Sequence, residues 1–210
     1  MNFLAHLHAS PNHPLVRVFN FSGDGYKGNR WKDDASNAEL IGVGLHRHID
    51  DFTDAHPLSK AALTILRPEL GKVAGIALDL FGDYFLHKHW AQFQHLQPFT
   101  THVSNIAFTQ QCVAEIREHH ELLKGKARAM APHLVAENWL LSYRDLTGLE
   151  RAANGISRRH PVARALHGYF GDLPEGHYAA AEAWMLAFYP ELIRSSQKWV
   201  ADREGIGSGL

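Results

Sequence analysis

The chain has 210 residues, 45% hydrophobic and 20% charged, with a formal net charge of −1 and one cysteine. That apolar content builds one compact core and excludes a disordered chain; the near-neutral charge gives no overall field for nucleic acid; and a lone Cys112 excludes a disulfide framework and a cysteine-based zinc site. The unusual count is 16 histidines, a surplus that points to metal binding or acid–base chemistry, because histidine is the commonest metal ligand and the near-neutral proton carrier.

Met1 to His8 reads as a short helix with Asn2 as N-cap and Phe3, Leu4 and Leu7 on its apolar side. His6 and His8 lie about 200° apart on a helix, so only one can face a given site, and His6 is the candidate. Pro11 and Pro14 break this helix, and Leu15 to Phe21 is a short apolar segment of undecided type. Asp24 then sits between Gly23 and Gly25, where it is either a ligand or a turn-forming residue. The loop lacks the Gly-Lys-Ser/Thr ending of a phosphate cradle.

Asp33 or Asp34 is expected to cap a helix running to about Thr53, with Leu40, Ile41, Leu45, Ile49 and Phe52 inward. On it Asp50 falls about 40° round from His46, one turn on, so the two can point at one object. Asp54 extends the stripe. The same spacing also suits a local hydrogen-bonded pair on a wet surface. Arg47 can hold a phosphate or pair with Asp51. Pro57 reads as a first-turn residue of a helix from Leu58 to Leu66, with Pro68 as its break.

Gly71 to about Phe93 is a strongly apolar helix that carries Asp79 and, one turn later, Asp83. A carboxylate in such a run is costly to bury unless paired, which makes Asp79 conspicuous. His87 and His89 follow. Helices are expected over Thr100 to Leu123 with Gly125 as the stop, over Ala127 to Ser142, and over Leu146 to Asn154. Cys112 reads as buried filler among Val113 and Ile116. Arg158-Arg159-His160-Pro161 reads as a basic turn able to meet a phosphate or an acidic partner. A last helix runs from His177 to about Val200, interrupted near Pro190, and Asp202 to Leu210 looks like a disordered tail. No repeat, β-alternation or linker stands out. The expected fold is all-α: one single-domain helical bundle over residues 1–201. With no membrane-length apolar run and no signal-peptide pattern, a soluble, cytoplasmic protein is expected.

His6, Asp24, His46, Asp50, Asp79 and Asp83 are the candidates hardest to dismiss. They come from one terminus, one loop and two helices, as in helical metallohydrolases whose ligands converge in a bundle core. Nitrogen and oxygen donors without cysteine suit manganese, iron, magnesium or zinc.

Several blocks carry a resemblance. They are Asn2-Phe3-Leu4-Ala5-His6-Leu7-His8, Gly28-Asn29 after Asp24, His46-Arg47 followed by Ile49-Asp50, Thr53-Asp54, Asp79 with Asp83, Phe85-Leu86, His89-Trp90, Tyr143-Arg144-Asp145, Arg158-Arg159 and Phe188-Tyr189-Pro190. In this order they resemble the acyl carrier protein phosphodiesterases, over nearly the whole chain to about residue 200. That family is similar to an offshoot of the HD phosphohydrolases, although His46 and Asp50 are here separated rather than adjacent. The resemblance implies an HD-like helical fold. It implies an enzyme that removes 4′-phosphopantetheine from holo acyl carrier protein with a divalent metal, typically Mn²⁺, with Fe²⁺ or Mg²⁺ as other choices. On this reading Asp24, His46, Asp50 and Asp79 are ligands, with His6 joining them. Asp83 or His89 positions water or protonates the serine oxygen. Arg47 holds the phosphate, and Arg158 and Arg159 meet the carrier protein. Competing readings are a phosphohydrolase acting on a nucleotide or other small phosphoester, and a carrier-binding module without catalysis.

Overall fold

The structure is a computed structural model that describes residues 1–204. Among these residues there are eleven α-helices and no strand. The helices are α1 (Phe3–Ala9), α2 (Pro14–Phe21), α3 (Asn37–Ala55), α4 (Pro57–Leu70), α5 (Ala74–Lys88), α6 (Trp90–Phe93), α7 (Asn105–Glu118), α8 (Gly125–Glu137), α9 (Trp139–Ser142), α10 (Leu146–Arg159) and α11 (Glu175–Glu204). α5 is apolar on nearly every side, with Ala77, Leu78, Leu80, Phe81, Phe85 and Leu86 all buried. A helix apolar all round belongs at the centre of a bundle, and α1, α4, α10 and α11 pack around it. α2 lies along α3, and α11 covers both α3 and α4. Cys112 is fully buried on α7. No described helix is long and apolar enough to cross a membrane.

Local signals shift several boundaries. Pro14 opens a helix rather than only ending one, so the undecided segment is α2, with His13 as its cap. α3 is capped by Ser36, whose hydroxyl accepts from Glu39 N, and not by Asp33 or Asp34. Pro68 and Pro190 both lie inside helices, α4 and α11; packing keeps these helices whole despite one missing donor each. α4 stops instead at Gly71, where φ is +56°. Gly125 starts α8 instead of ending α7, and left-handed Asn138 splits α8 from α9. α11 continues through Asp202 and Arg203, which the sequence assigns to a tail; the rest of that expected tail, 205–210, lies outside the described residues.

One long-range contact fixes the terminus that carries His6. Asn2 occupies the N-cap position of α1, but its side chain makes no cap bond. Asp83 on α5 does so from a distance: its two oxygens accept from Leu4 N and Ala5 N, each at 3.0 Å. A carboxylate against free helix N–H groups satisfies the donors and the dipole at once. Burial pushes the Asp83 carboxyl up to about 7, against the pull of those two N–H groups.

Candidate metal centre

Four segments meet at one hollow of about 320 Å³. α1 supplies His6, the Gly23–Gly25 turn supplies Asp24, α3 supplies His46, Asp50 and Asp54, and α5 supplies Asp79. Met1, Asn2, Phe3 and Phe21 complete its lining. The one-turn stripe on α3 does face this hollow. His46 Nε2 lies 3.2 Å from Asp50 Oδ2 and 3.4 Å from Asp24 Oδ1. His6 Nε2 lies 3.1 Å from Asp50 Oδ1, and the two imidazoles stack with centroids 4.4 Å apart. The Met1 α-ammonium is 3.1 Å from Asp79 and 3.6 Å from Asp50. His8 turns the other way, into the core, against the hydroxyls of Tyr189 and Thr100.

The hydrogen-bond network decides which His6 nitrogen is free. Asn20 Nδ2 donates to His6 O and to Ser10 Oγ, so its Oδ1 must face His6 Nδ1, 2.9 Å away. Nδ1 is therefore the protonated nitrogen, and Nε2 presents a lone pair. Burial, followed by the neighbouring His46, keeps His6 below its ordinary pKa and hence neutral. A lone pair on His6 Nε2 thus faces a carboxylate oxygen of Asp50. Two acceptors at contact distance call for a cation between them. His46 repeats the pattern: both of its buried ring nitrogens lack a hydrogen-bond partner, although two carboxylate oxygens are near. One donor atom each from His6, His46 and Asp50 lies within 4.8 Å of the others. Two nitrogens and several carboxylate oxygens fit a hard or borderline divalent ion.

The carboxylates are tuned to match. Burial opposes the charge of Asp50, but His6, the Met1 ammonium and His46 outweigh it and hold the carboxyl well below the usual range. The contact with His46 lowers Asp24. Burial raises Asp79 against the pull of the ammonium; its side-chain exposure of 41% opens onto the hollow. Anionic Asp50 and Asp24 beside neutral His6 are the protonation states that metal ligation requires.

Gly23 explains why the turn is glycine-rich. A Cβ there would lie 2.2 Å from His46 Cγ, so only glycine lets the imidazole reach the hollow. Gly23→Ala is expected to push His46 aside and weaken divalent-metal binding by about 10- to 100-fold, as disturbed support of a ligand does. Calorimetric titration checks this, and unchanged affinity would remove the role assigned to the turn.

Other expected site residues lie elsewhere. Asp83 is spent on the N-terminus of α1 and does not line the hollow, so it cannot position water there. His89 points to Glu182, 2.7 Å away. Arg47 pairs with neither a phosphate site nor Asp51. It donates to Tyr26 O and Gly28 O and stacks on Trp31, clamping the loop that begins at Asp24. Arg158 and Arg159 end α10 instead of forming a turn, and both are exposed. The sequence reading missed Asn20, which orients His6; its only signal was a polar residue inside an apolar segment. Phe3 and Phe21, in contact at 5.2 Å, form the apolar wall.

A family model described as acyl carrier protein phosphodiesterase matches residues 1–192. The chain belongs to the acyl carrier protein phosphodiesterase family. Proteins named acyl carrier protein phosphodiesterase are similar to it along almost their full lengths. The one from Photorhabdus laumondii is 33% identical over 198 residues, covering 94% of this chain and 96% of the relative. The one from Enterobacter sp. strain 638 is 34% identical over 194 residues, covering 92% and 96%. The one from Escherichia coli O157:H7 is 31% identical over 201 residues, covering 94% and 98%. No solved structure matches this member of the family.

Proposed function

We propose that this protein hydrolyses the phosphodiester joining 4′-phosphopantetheine to the serine of holo acyl carrier protein, releasing the arm and leaving the apo carrier. The observation that carries the reading is the set of imidazole nitrogens and carboxylate oxygens gathered within 4.8 Å of one another at the hollow, in a chain of this family. His6, His46, Asp50 and Asp24 would hold a divalent ion, with Asp79 beside them; Mn²⁺ is the first choice and Fe²⁺ or Mg²⁺ the next. Such an ion neutralises an anionic phosphodiester and makes hydroxide accessible near neutral pH. Asp54 is the one lining carboxylate without an ion pair among the described residues. We assign it the proton handling expected of Asp83 and His89, neither of which lines the hollow. Phe3 and Phe21 offer an apolar wall to the pantetheine chain. Arg158 and Arg159 face outward, where they can meet an acidic carrier. Action on acyl carrier protein supports the expectation of a cytoplasmic enzyme.

The test is mass spectrometry of holo carrier protein incubated with the enzyme. The carrier should lose the mass of phosphopantetheine with Mn²⁺ present and keep it with a chelator. Retention of the arm with Mn²⁺, Fe²⁺ and Mg²⁺ alike would sink the reading.

A further inference from the structure

The hollow has to receive an anionic phosphodiester, yet most of its polar side chains are acceptors. Asp24, Asp50, Asp54 and Asp79 line it, and no arginine or lysine among the described residues does. Arg47, the residue expected to hold the phosphate, is committed to carbonyls of the loop that begins at Asp24. Both imidazoles are read above as ligands, and the Met1 ammonium pairs with Asp79 and Asp50. One lining donor is left, the side-chain amide of Asn2.

Asn2 is free because of Asp83. It stands at the N-cap position of α1, where an asparagine side chain ordinarily accepts from N–H groups of the first turn. Asp83 accepts from Leu4 N and Ala5 N instead, and the Asn2 side chain makes no cap bond. Its Nδ2 is screened from solvent and has no hydrogen-bond partner among the described residues. An amide donor left unpaired away from water is costly unless something that binds supplies the acceptor. The Tyr143 hydroxyl lies against the same amide. Resting on the phosphodiesterase reading above, we propose that Asn2 holds the phosphate of the substrate. The amide turns so that the Tyr143 hydroxyl donates to Oδ1, and Nδ2 donates to a non-bridging phosphate oxygen. The turn breaks no bond of Nδ2, since it makes none. A neutral donor suits the place: beside four carboxylates an ammonium or guanidinium would be drawn to them and compete with the metal, whereas an amide adds no charge.

Calorimetric binding of inorganic phosphate to the Mn²⁺-loaded protein tests the assignment without the carrier. Asn2→Leu removes the donor at similar volume, and Asn2→Asp puts an anion in its place. Asn2→Leu should weaken phosphate binding about tenfold, in line with one hydrogen bond to a charged group, and Asn2→Asp at least as much. Both should lower kcat/KM for holo carrier protein by a similar factor. Both should keep the rise in melting temperature that Mn²⁺ gives, and metal-free melts near the wild type confirm that each is folded. A Mn²⁺ shift lost in Asn2→Leu but kept in Asn2→Asp would make Oδ1 a metal ligand and overturn the proposal. Wild-type phosphate affinity in both variants, or no phosphate binding by the wild type, would also overturn it, and arm release by the wild type would then leave the enzyme reading standing. A wild type that binds phosphate through Asn2 but leaves the holo carrier intact would overturn the carrier-protein reading and keep the role of Asn2.

Discussion

Replacing Asp50 with alanine should lower carrier-protein turnover by on the order of 10³-fold. That exceeds the 10- to 100-fold typical when only a group supporting a ligand is lost. The reason is position. Asp50 offers one oxygen to His6 and the other to His46, and its charge also faces the Met1 ammonium. No other residue touches both imidazoles in this way among the described residues. A second readout separates a site effect from an unfolding effect. Saturating Mn²⁺ should raise the melting temperature of the wild type, because a ligand at 100 times its Kd adds about 2.7 kcal/mol of stability. Asp50→Ala should lose that rise and melt near the metal-free wild type. Retained turnover, or a retained Mn²⁺ shift, would remove Asp50 from the centre.

The largest effect on stability should come from a residue far from any chemistry. Arg17 on α2 is fully buried, and its guanidinium forms two parallel bonds to Glu115 on α7, at 2.7 and 2.6 Å. A third donor, Nη1, reaches Pro11 O, at the turn that follows α1. Arg17→Met should reduce the free energy of unfolding by about 3–5 kcal/mol, because it leaves the Glu115 carboxylate, in a site only 7% exposed, without its charge partner and with only the Gln111 Nε2 donor. The companion change matters as much. Arg17→Met with Glu115→Met should recover most of the loss, since a buried pair contributes little over apolar residues of similar size. Urea melts of both single variants and the double variant close the cycle. A double variant as unstable as Arg17→Met would show that the pair is not what fails.

The two results bear on how much a chain discloses. The stripe His46–Asp50–Asp54 was readable because one turn of helix repeats every three to four residues, and that arithmetic holds whatever the helix packs against. The divergence of His6 and His8 was readable for the same reason. The helical class followed from apolar spacing, and the oddity of Asp79 from the cost of an unpaired carboxylate in an apolar run. Asp83 shows where such reasoning stops. It is on the same helix and one turn from Asp79, yet one carboxylate lines the hollow and the other caps α1. Only the path of residues 1 to 5, which is 78 positions away, separates them. Arg47 likewise follows a ligand in sequence but serves the loop instead of the substrate.

The sequence by itself determined the periodic part of this protein: the all-helical class, the apolar face of longer helices such as α3 and α5, and the donors that share a face. These depend on local geometry, which a few neighbouring residues set. The tertiary structure alone decided which donors converge. It brought α1, the Asp24 turn, α3 and α5 to one hollow, fixed the His6 tautomer through Asn20, and gave Asp83 and Arg17 their partners. Those outcomes depend on contacts between residues tens of positions apart, whose energies arise only when the core closes and water is excluded.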